Sequence, residues 1–449
     1  MTRRISIFLG ILFIMLLGSS NILASEVLTL EESIKIALEN SLSVYSAKEE
    51  IKAKEFEELS AKADFFPKLS TSYTYTRLDN DTVNDAKYTT YAYPSFSPRE
   101  VSPLDTNSYQ FNITATQPLF TGWRLTILRD LASLGVNTAK IQKEAVIQGL
   151  ILNVKEAYFG ILKTEKLKKV ARQSVELLEA QLRVSQDFYD EGIIAKNNLL
   201  QTEVQMAQAR QDMITATNRV EIAKSFFNTL LRRGLNQEVT VKDILDYNPV
   251  ELILDQCTER AELNRTEIKE VALNIRSAEK NVDLTKSKHY PLLTLIGNYQ
   301  READDILLDS SPGEDPDNWT IRLKGEWTFW EWRKKRHDVA AARAKLAKAN
   351  YILREIKDNI QLEVKEAYLS LREAEKNIQV AKKAVVQAEE NFRMNEERYK
   401  QQVATSTDVL DALTLLTQAR TNYFNALSEH NIAWAKLERA MGIGYKVKN

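Results

Sequence analysis

The residue types that carry chemistry are scarce in this chain and fall into none of the usual constellations. Its 449 residues include three histidines, His289, His337 and His430, and one cysteine, Cys257, all far apart in sequence. Their spacing matches no metal site, and a single thiol cannot close an intramolecular disulfide. Neither a Ser-His-Asp nor a Cys-His arrangement is visible, and no glycine-rich phosphate loop occurs. Carboxylates are plentiful, but 62 acidic residues face 61 basic ones for a net charge of −1, so nothing global favours nucleic acid. No enzyme, cofactor or metal is expected. The carboxylates that stand out are Asp408 and Asp411, in Ser406-Thr407-Asp408-Val409-Leu410-Asp411. Asp408 reads as a helix N-cap or first-turn carboxylate, stabilised by the helix dipole, and Asp411 as part of a solvated helix face.

The elements that must position these residues come twice. Val154-Lys155-Glu156-Ala157-Tyr158 returns as Val364-Lys365-Glu366-Ala367-Tyr368, and Gln208-Ala209-Arg210 as Gln418-Ala419-Arg420. Both returns share one offset (364 − 154 = 418 − 208 = 210), which predicts two copies of one structural unit. Low Gly (13) and Pro (9) with 27% charged residues predict long uninterrupted helices. Thr29 and Glu32 form a capping box that opens a helix reaching about Asp64, with a counterpart from about Thr258 to Lys288. Helical pattern then runs from about 125 to 189 and from about 339 to 399. At 1.5 Å per residue, helices of about 60 residues span on the order of 90–100 Å. Val175, Leu178, Leu182, Ser185 and Tyr189 step by three and four, a seam for another helix. Each long helix breaks, around Asp190–Lys196 and Lys400–Ser406, and returns, over about 198–232 and 408–441.

Between the shorter and longer helices the period changes to two. Leu69, Thr71, Tyr73 and Tyr75 alternate with Ser70, Ser72, Thr74 and Thr76. Tyr109, Phe111 and Ile113 alternate with polar neighbours, as do Trp319, Ile321, Leu323, Trp327 and Phe329. Strands are predicted at 68–77, 108–118, 291–301 and 318–330, each about the 9–11 residues that cross a bilayer as a tilted strand. Four strands cannot close a barrel, and an open edge is not viable in hydrocarbon. Several chains must therefore contribute to one barrel, unless the sheet lies outside a membrane. Aromatics at the strand ends, Phe65, Phe66, Trp123, Tyr290, Trp327, Trp330 and Trp332, look like a membrane-interface girdle.

The N-terminus reads as a signal peptide over 1–24: Arg3 and Arg4, the apolar run Ile5–Leu17, and a cleavage point after Ala24. After it no run of 18 apolar residues occurs, so no transmembrane helix is expected. The predicted organisation is a first repeat over 25–232, an inter-repeat segment over 233–257, a second repeat over 258–441 and a tail over 442–449.

Over essentially its whole mature length the chain resembles the outer-membrane efflux proteins of the TolC type. Gln117-Pro118-Leu119-Phe120-Thr121-Gly122-Trp123-Arg124 is similar to the family's Pro-Leu-Phe-x-Gly-Gly-Arg strand-to-helix junction. Trp327-Thr328-Phe329-Trp330-Glu331-Trp332-Arg333 is its second-copy equivalent, with Glu331 and Trp332 in place of the usual glycines. Phe188-Tyr189-Asp190-Glu191-Gly192-Ile193-Ile194 resembles the family's tip turn, as does Arg398-Tyr399-Lys400-Gln401-Gln402-Val403-Ala404, with Gln402 in place of Gly.

The resemblance implies a mainly α fold with a small β part. It implies two tandem repeats, coiled-coil-packed helices forming a periplasmic tunnel, and four transmembrane strands per chain in a 12-stranded barrel shared by a homotrimer. It implies a channel-tunnel of the outer membrane, passively conducting substrate in a tripartite efflux or type I secretion system. Its partners would be outer-membrane lipid, a periplasmic adaptor and an RND or ABC transporter of the inner membrane. The family's periplasmic gate falls on Asp408, Asp411 and Tyr399. Three copies of an aspartate around a pore repel one another and favour cations. The family's locking arginine falls at Ala404 and its acidic partner at Asn198, so that bond cannot form here. The tips carrying Gly192, Ile193, Ile194, Gln402 and Val403 would dock the adaptor; the plainer alternative is that they cap the coiled coil. A structural coiled-coil protein of the cell envelope would explain the helices but not the amphipathic strands.

Overall fold

The structure, a computed structural model, describes residues 27–77, 107–247, 249, 251–303, 305–309 and 317–443. The expected signal peptide, most of the two strand-to-strand loops and residues 444–449 of the tail lie outside them. Helices dominate. In chain order they are α1 (Leu30–Asn40), α2 (Leu42–Ala63), α3 (Arg124–Asp190), α4 (Lys196–Leu230), α5 (Leu254–Asn264), α6 (Thr266–Ser287), α7 (Lys334–Lys400) and α8 (Ser406–Ala440). The strands are β1 (Val27–Leu28), β2 (Lys68–Arg77), β3 (Asn107–Phe120), β4 (Thr240–Val241), β5 (Leu292–Ala303) and β6 (Asp317–Glu326).

The elements match pairwise in length. Helices α3 and α7 each have 67 residues and α4 and α8 each 35, and both pairs start 210 apart (334 − 124 and 406 − 196). Helices α1 and α5 have 11 residues each and α2 and α6 have 22, but these pairs start 224 apart (254 − 30 and 266 − 42). The difference accrues across the strand pairs: β3 starts 39 residues after β2 (107 − 68), β6 only 25 after β5 (317 − 292). The single helix expected before each strand pair is two helices. Ser41, at φ −66° and ψ 123°, ends α1, and Arg265, at φ −58° and ψ 129°, ends α5. Neither break carries the Gly or Pro that would announce it.

Two compact units divide the chain: Met1–Lys48 with Gln142–Lys269 and Glu355–Asn449, and Glu49–Ile141 with Glu270–Arg354. In the first, the core gathers around the fully buried Tyr158, Phe227, Leu28, Ile34 and Leu231. Strands β1 and β4 form a short parallel pair there, Val27 opposite Thr240 and Leu28 opposite Val241. The Tyr158 hydroxyl donates to Lys242 O at 2.7 Å and to Leu28 O at 3.2 Å, which ties the pair to α3. Tyr368, 210 positions on, donates to Leu252 O at 3.3 Å. Helix α3 holds an 18-residue stretch apolar enough to cross a membrane by length and composition, where none was expected. Packing accounts for it: Val154, Tyr158, Phe159, Ile161 and Leu162 of α3 are core residues.

The second unit holds a four-stranded antiparallel sheet in the order β2-β3-β5-β6. Its registers settle the faces. Thr71 pairs with Ile113, Ile113 with Tyr299 and Tyr299 with Trp319, so odd-numbered residues share one face. Ser70, Thr114, Asn298 and Thr320 form a row on the other. One face is therefore apolar and one polar, as the alternation predicts. Strand β6 stops at Glu326, short of the expected 330, because its partner β5 begins at Leu292 and leaves Trp327–Trp330 nothing to pair with.

Candidate functional site

The first unit contains two helix–turn–helix tips of the same build. At the end of α3, the Gly192 amide donates to Tyr189 O at 2.9 Å and the Ile193 amide to Phe188 O at 2.8 Å. At the end of α7, Gln402 donates to Tyr399 O and Val403 to Arg398 O, both at 2.9 Å. This pair of bonds is the Schellman cap, whose C′ residue is left-handed. Gly192 has φ +73° and Gln402 φ +61°, so glutamine occupies a glycine's conformation. Ile193 and Val403 follow, exposed by 44% and 61%. Ile194 is partly covered.

Beneath the tips lies an apolar cluster of α3, α4, α7 and α8 that includes Leu178, Met206, Phe392, Tyr399, Val409 and Leu413. Tyr399 is 2% exposed; its hydroxyl meets Ser185 Oγ at 3.2 Å and its ring lies 5.3 Å from that of Phe188. The fully buried Thr202 hydroxyl meets that of Ser406, 2% exposed, at 3.1 Å and also donates to Asn198 O. Above this, Thr407 Oγ1 donates to Gln201 Oε1 at 3.3 Å. Hydroxyl pairs thus join the first half of the chain to the second inside an apolar seam. Ser185 is visible in the sequence as the polar step of that seam, but nothing local marks Thr202 or Ser406 as partners.

The two aspartates are placed differently from the tyrosine. The Asp408 carboxylate accepts from the Thr405 amide and from the Thr405 hydroxyl, both at 2.8 Å, and its amide donates back to Thr405 Oγ1 at 3.2 Å. This is a complete capping box at the start of α8. The Thr405 amide first, then the Thr405 hydroxyl, hold the Asp408 carboxyl below its ordinary value, and the Arg398 guanidinium adds a smaller pull. Asp411 is exposed one turn later and makes no hydrogen bond or ion pair among the described residues. Tyr399 therefore sits in the seam, while both carboxylates face solvent.

The second unit places the aromatics at the junction of sheet and helices. Trp123 stacks edge-on against Tyr290 at 5.0 Å and Phe120 at 5.4 Å, and Trp330 against Trp332 at 5.8 Å. Trp327 donates its indole N–H to His289 O at 3.0 Å, and Gln117 its amide to Phe65 O at 2.9 Å. All seven expected girdle residues are exposed, from Phe65 at 38% through Phe66 to Trp332 at 85%. At the first junction Gly122 and Trp123 are left-handed, at φ +60° and +64°; at the second these are Trp332 and Arg333, at +46° and +67°. The turn survives without glycine. It also corrects the expected alignment: Trp332 takes the place of Gly122 (332 − 122 = 210), and Glu331 that of Thr121.

Cys257 is buried among Ala261, Ile360 and Leu437, and that burial pushes its thiol up. Among the described residues no group of three or more His, Cys, Asp or Glu is close enough to hold a metal ion.

The family model described as "Outer membrane efflux protein" matches residues 33–230 and 258–443. The chain is 25% identical over 365 residues to the outer membrane protein TolC of Vibrio cholerae, covering 76% of this chain and 78% of that one. It is 23% identical over 367 residues to TolC of Escherichia coli, covering 77% and 71%. Among solved structures, the outer membrane protein VceC of Vibrio cholerae superposes with a TM-score of 0.75 at 16% identity over 93% of this chain and 97% of its own. The Campylobacter jejuni CmeC outer membrane channel gives 0.76 at 16% identity over 94% and 87%.

Proposed function

This chain belongs to the outer membrane efflux protein family, and from that premise we propose that three copies form one passive exit duct through the outer membrane. The observation that carries this is the sheet. It has four strands, one apolar and one polar face, and two edges, β2 and β6, with no partner among the described residues. Leu69, Tyr73, Trp319, Ile321 and Leu323 project from the apolar face with large exposure. Hydrocarbon tolerates such a face but not such edges, and three copies closing edge to edge into 12 strands remove them. A purely structural coiled-coil role leaves this sheet without a purpose.

In this reading the paired helices are two tandem repeats, six units per trimer lining a periplasmic tunnel. The aromatic belt lies at the lipid–water interface, where amphipathic rings are favoured. Asp408 and Asp411 ring the periplasmic entrance, with Tyr399 setting the seam behind them. The locking bond that Ala404 and Asn198 cannot make is replaced by the Ser185–Tyr399 and Thr202–Ser406 hydroxyl pairs. The exposed Ile193 and Val403, with Gly192, Ile194 and Gln402, dock a periplasmic adaptor that couples the duct to an RND or ABC transporter.

Mild detergent extraction of outer membranes tests this reading. A trimer is expected by light scattering, and a water-soluble monomer would sink it. Ile193→Asp with Val403→Asp should leave the trimer intact and abolish transport; full transport by that variant would remove the docking assignment.

A further inference from the structure

The registers of the sheet place one charge where the duct reading gives it a task. Arg322 of β6 pairs with Ile296, and Ile296 with Thr116, all on the polar face. The rest of that face is nearly all neutral: Ser, Thr, Asn and Gln in the rows Ser70–Thr114–Asn298–Thr320 and Ser72–Asn112–Gln300–Asn318. Its other charges are accounted for. Lys324 meets Glu326 at 2.8 Å, Lys68 meets Asp64 at 2.9 Å, and Glu302 accepts from Ser108 at 2.9 Å. Glu302 also stands six residues beyond Ile296 along β5 (302 − 296), about 20 Å away at about 3.4 Å per residue. Arg322 is exposed and has no ion pair or hydrogen bond among the described residues.

We infer that Arg322 is a selectivity determinant of the barrel lumen, favouring anionic solutes in the helix-proximal half of the sheet. The inference rests on the duct reading: a polar face turned to the lumen in a trimer sets three unneutralised guanidiniums around one level. Rings of Arg or Lys are how pores favour anions, and lumen-facing substitutions tune selectivity in β-barrels. Salt screens the charge, so the preference weakens as ionic strength rises. It is opposite in sign to Asp408 and Asp411, so the two charge sets filter in opposite senses.

Reversal potentials of the full chain in planar lipid bilayers under a KCl gradient test this. The Asp408→Asn/Asp411→Asn variant is measured alongside, so that the acidic filter does not mask the effect. In both backgrounds Arg322→Gln should lower the anion-to-cation permeability ratio severalfold, and Arg322→Glu should lower it further. The charge-neutral double change Lys324→Gln/Glu326→Gln should leave the ratio where it was. Conducting pores whose ratio ignores both Arg322 substitutions, or follows the Lys324–Glu326 pair instead, overturn the inference and leave the duct reading standing. A protein that forms no pores in any variant overturns the duct reading and this inference with it.

Discussion

At the scale of the residue, the two halves of the chain meet the same backbone demand with different side chains. Gly192 and Gln402 both cap a 67-residue helix in the left-handed region, where an L side chain costs roughly 1 kcal/mol or more. Gln402→Gly should therefore stabilise the protein by about 1 kcal/mol, and Gly192→Ala should destabilise it by about as much. Urea unfolding of the detergent-solubilised protein would show it; no gain from Gln402→Gly would mean that the glutamine side chain offsets its strain. Gly122→Ala should cost more than Gly192→Ala. A Cβ there would lie 2.7 Å from Ser287 O and 2.8 Å from Tyr290 Cβ, whereas at Gly192 it meets nothing within 4 Å. In the gate proposed above, Asp408 combines a local and a collective role. Asparagine keeps the capping acceptor but removes the charge, so Asp408→Asn with Asp411→Asn should raise single-channel conductance and weaken cation selectivity, with only a small drop in the thermal midpoint from the lost charge–dipole attraction. Unchanged conductance and selectivity would take both residues out of the gate. The folded Asp408 carboxyl titrates below its unfolded value, so its capping contribution is present above the unfolded pKa and is lost as pH falls through the folded one.

At the scale of the element, Tyr158 ties the β1–β4 pair to α3. It reaches the carbonyls of Leu28 and Lys242 from within the core, and burial pushes its phenol up to about 12. The raised value means that neutral Tyr158 stabilises the fold fully below the ordinary value of 10, and that this is lost as pH climbs through about 12. Absorbance at 295 nm should show one tyrosine titrating late, absent in Tyr158→Phe, and that variant should lose part of the alkaline unfolding between about pH 10 and 12. A titration curve identical in both proteins would contradict the assignment. Element existence was legible because long helices and amphipathic strands write their period over many residues. The breaks at Ser41 and Arg265 were not, since neither residue is a helix breaker by type. The parallel pairing of β1 with β4 was hidden as well: two residues on each side carry no period.

At the scale of the whole molecule, the barrel proposed above gives the two faces of the sheet opposite tolerances. Ile321 and Thr320 are neighbours in sequence on opposite faces. Ile321→Lys should cost about 2–4 kcal/mol of membrane-inserted stability if it lies near the bilayer midplane, while Thr320→Lys should be close to neutral. Heat-modifiable trimer bands from outer membranes would separate them, and equal tolerance would argue that the apolar face does not meet lipid.

Read from the sequence alone, the chain already declared its family, its helix and strand types, and the apolar and polar faces of its strands. These are properties of period, composition and motif, which short windows of chain carry. Tertiary structure alone decided the partners. It set Tyr399 against Ser185 and Thr202 against Ser406, turned Asp408 onto Thr405, put Trp332 rather than Glu331 in the glycine's conformation, and left Arg322 unpaired on the polar face. Those outcomes depend on register and on contacts across more than 200 residues of sequence in the two hydroxyl pairs (|i−j| = 214 and 204). Local pattern carries no information about such pairings, because they form only once the helices and strands have packed.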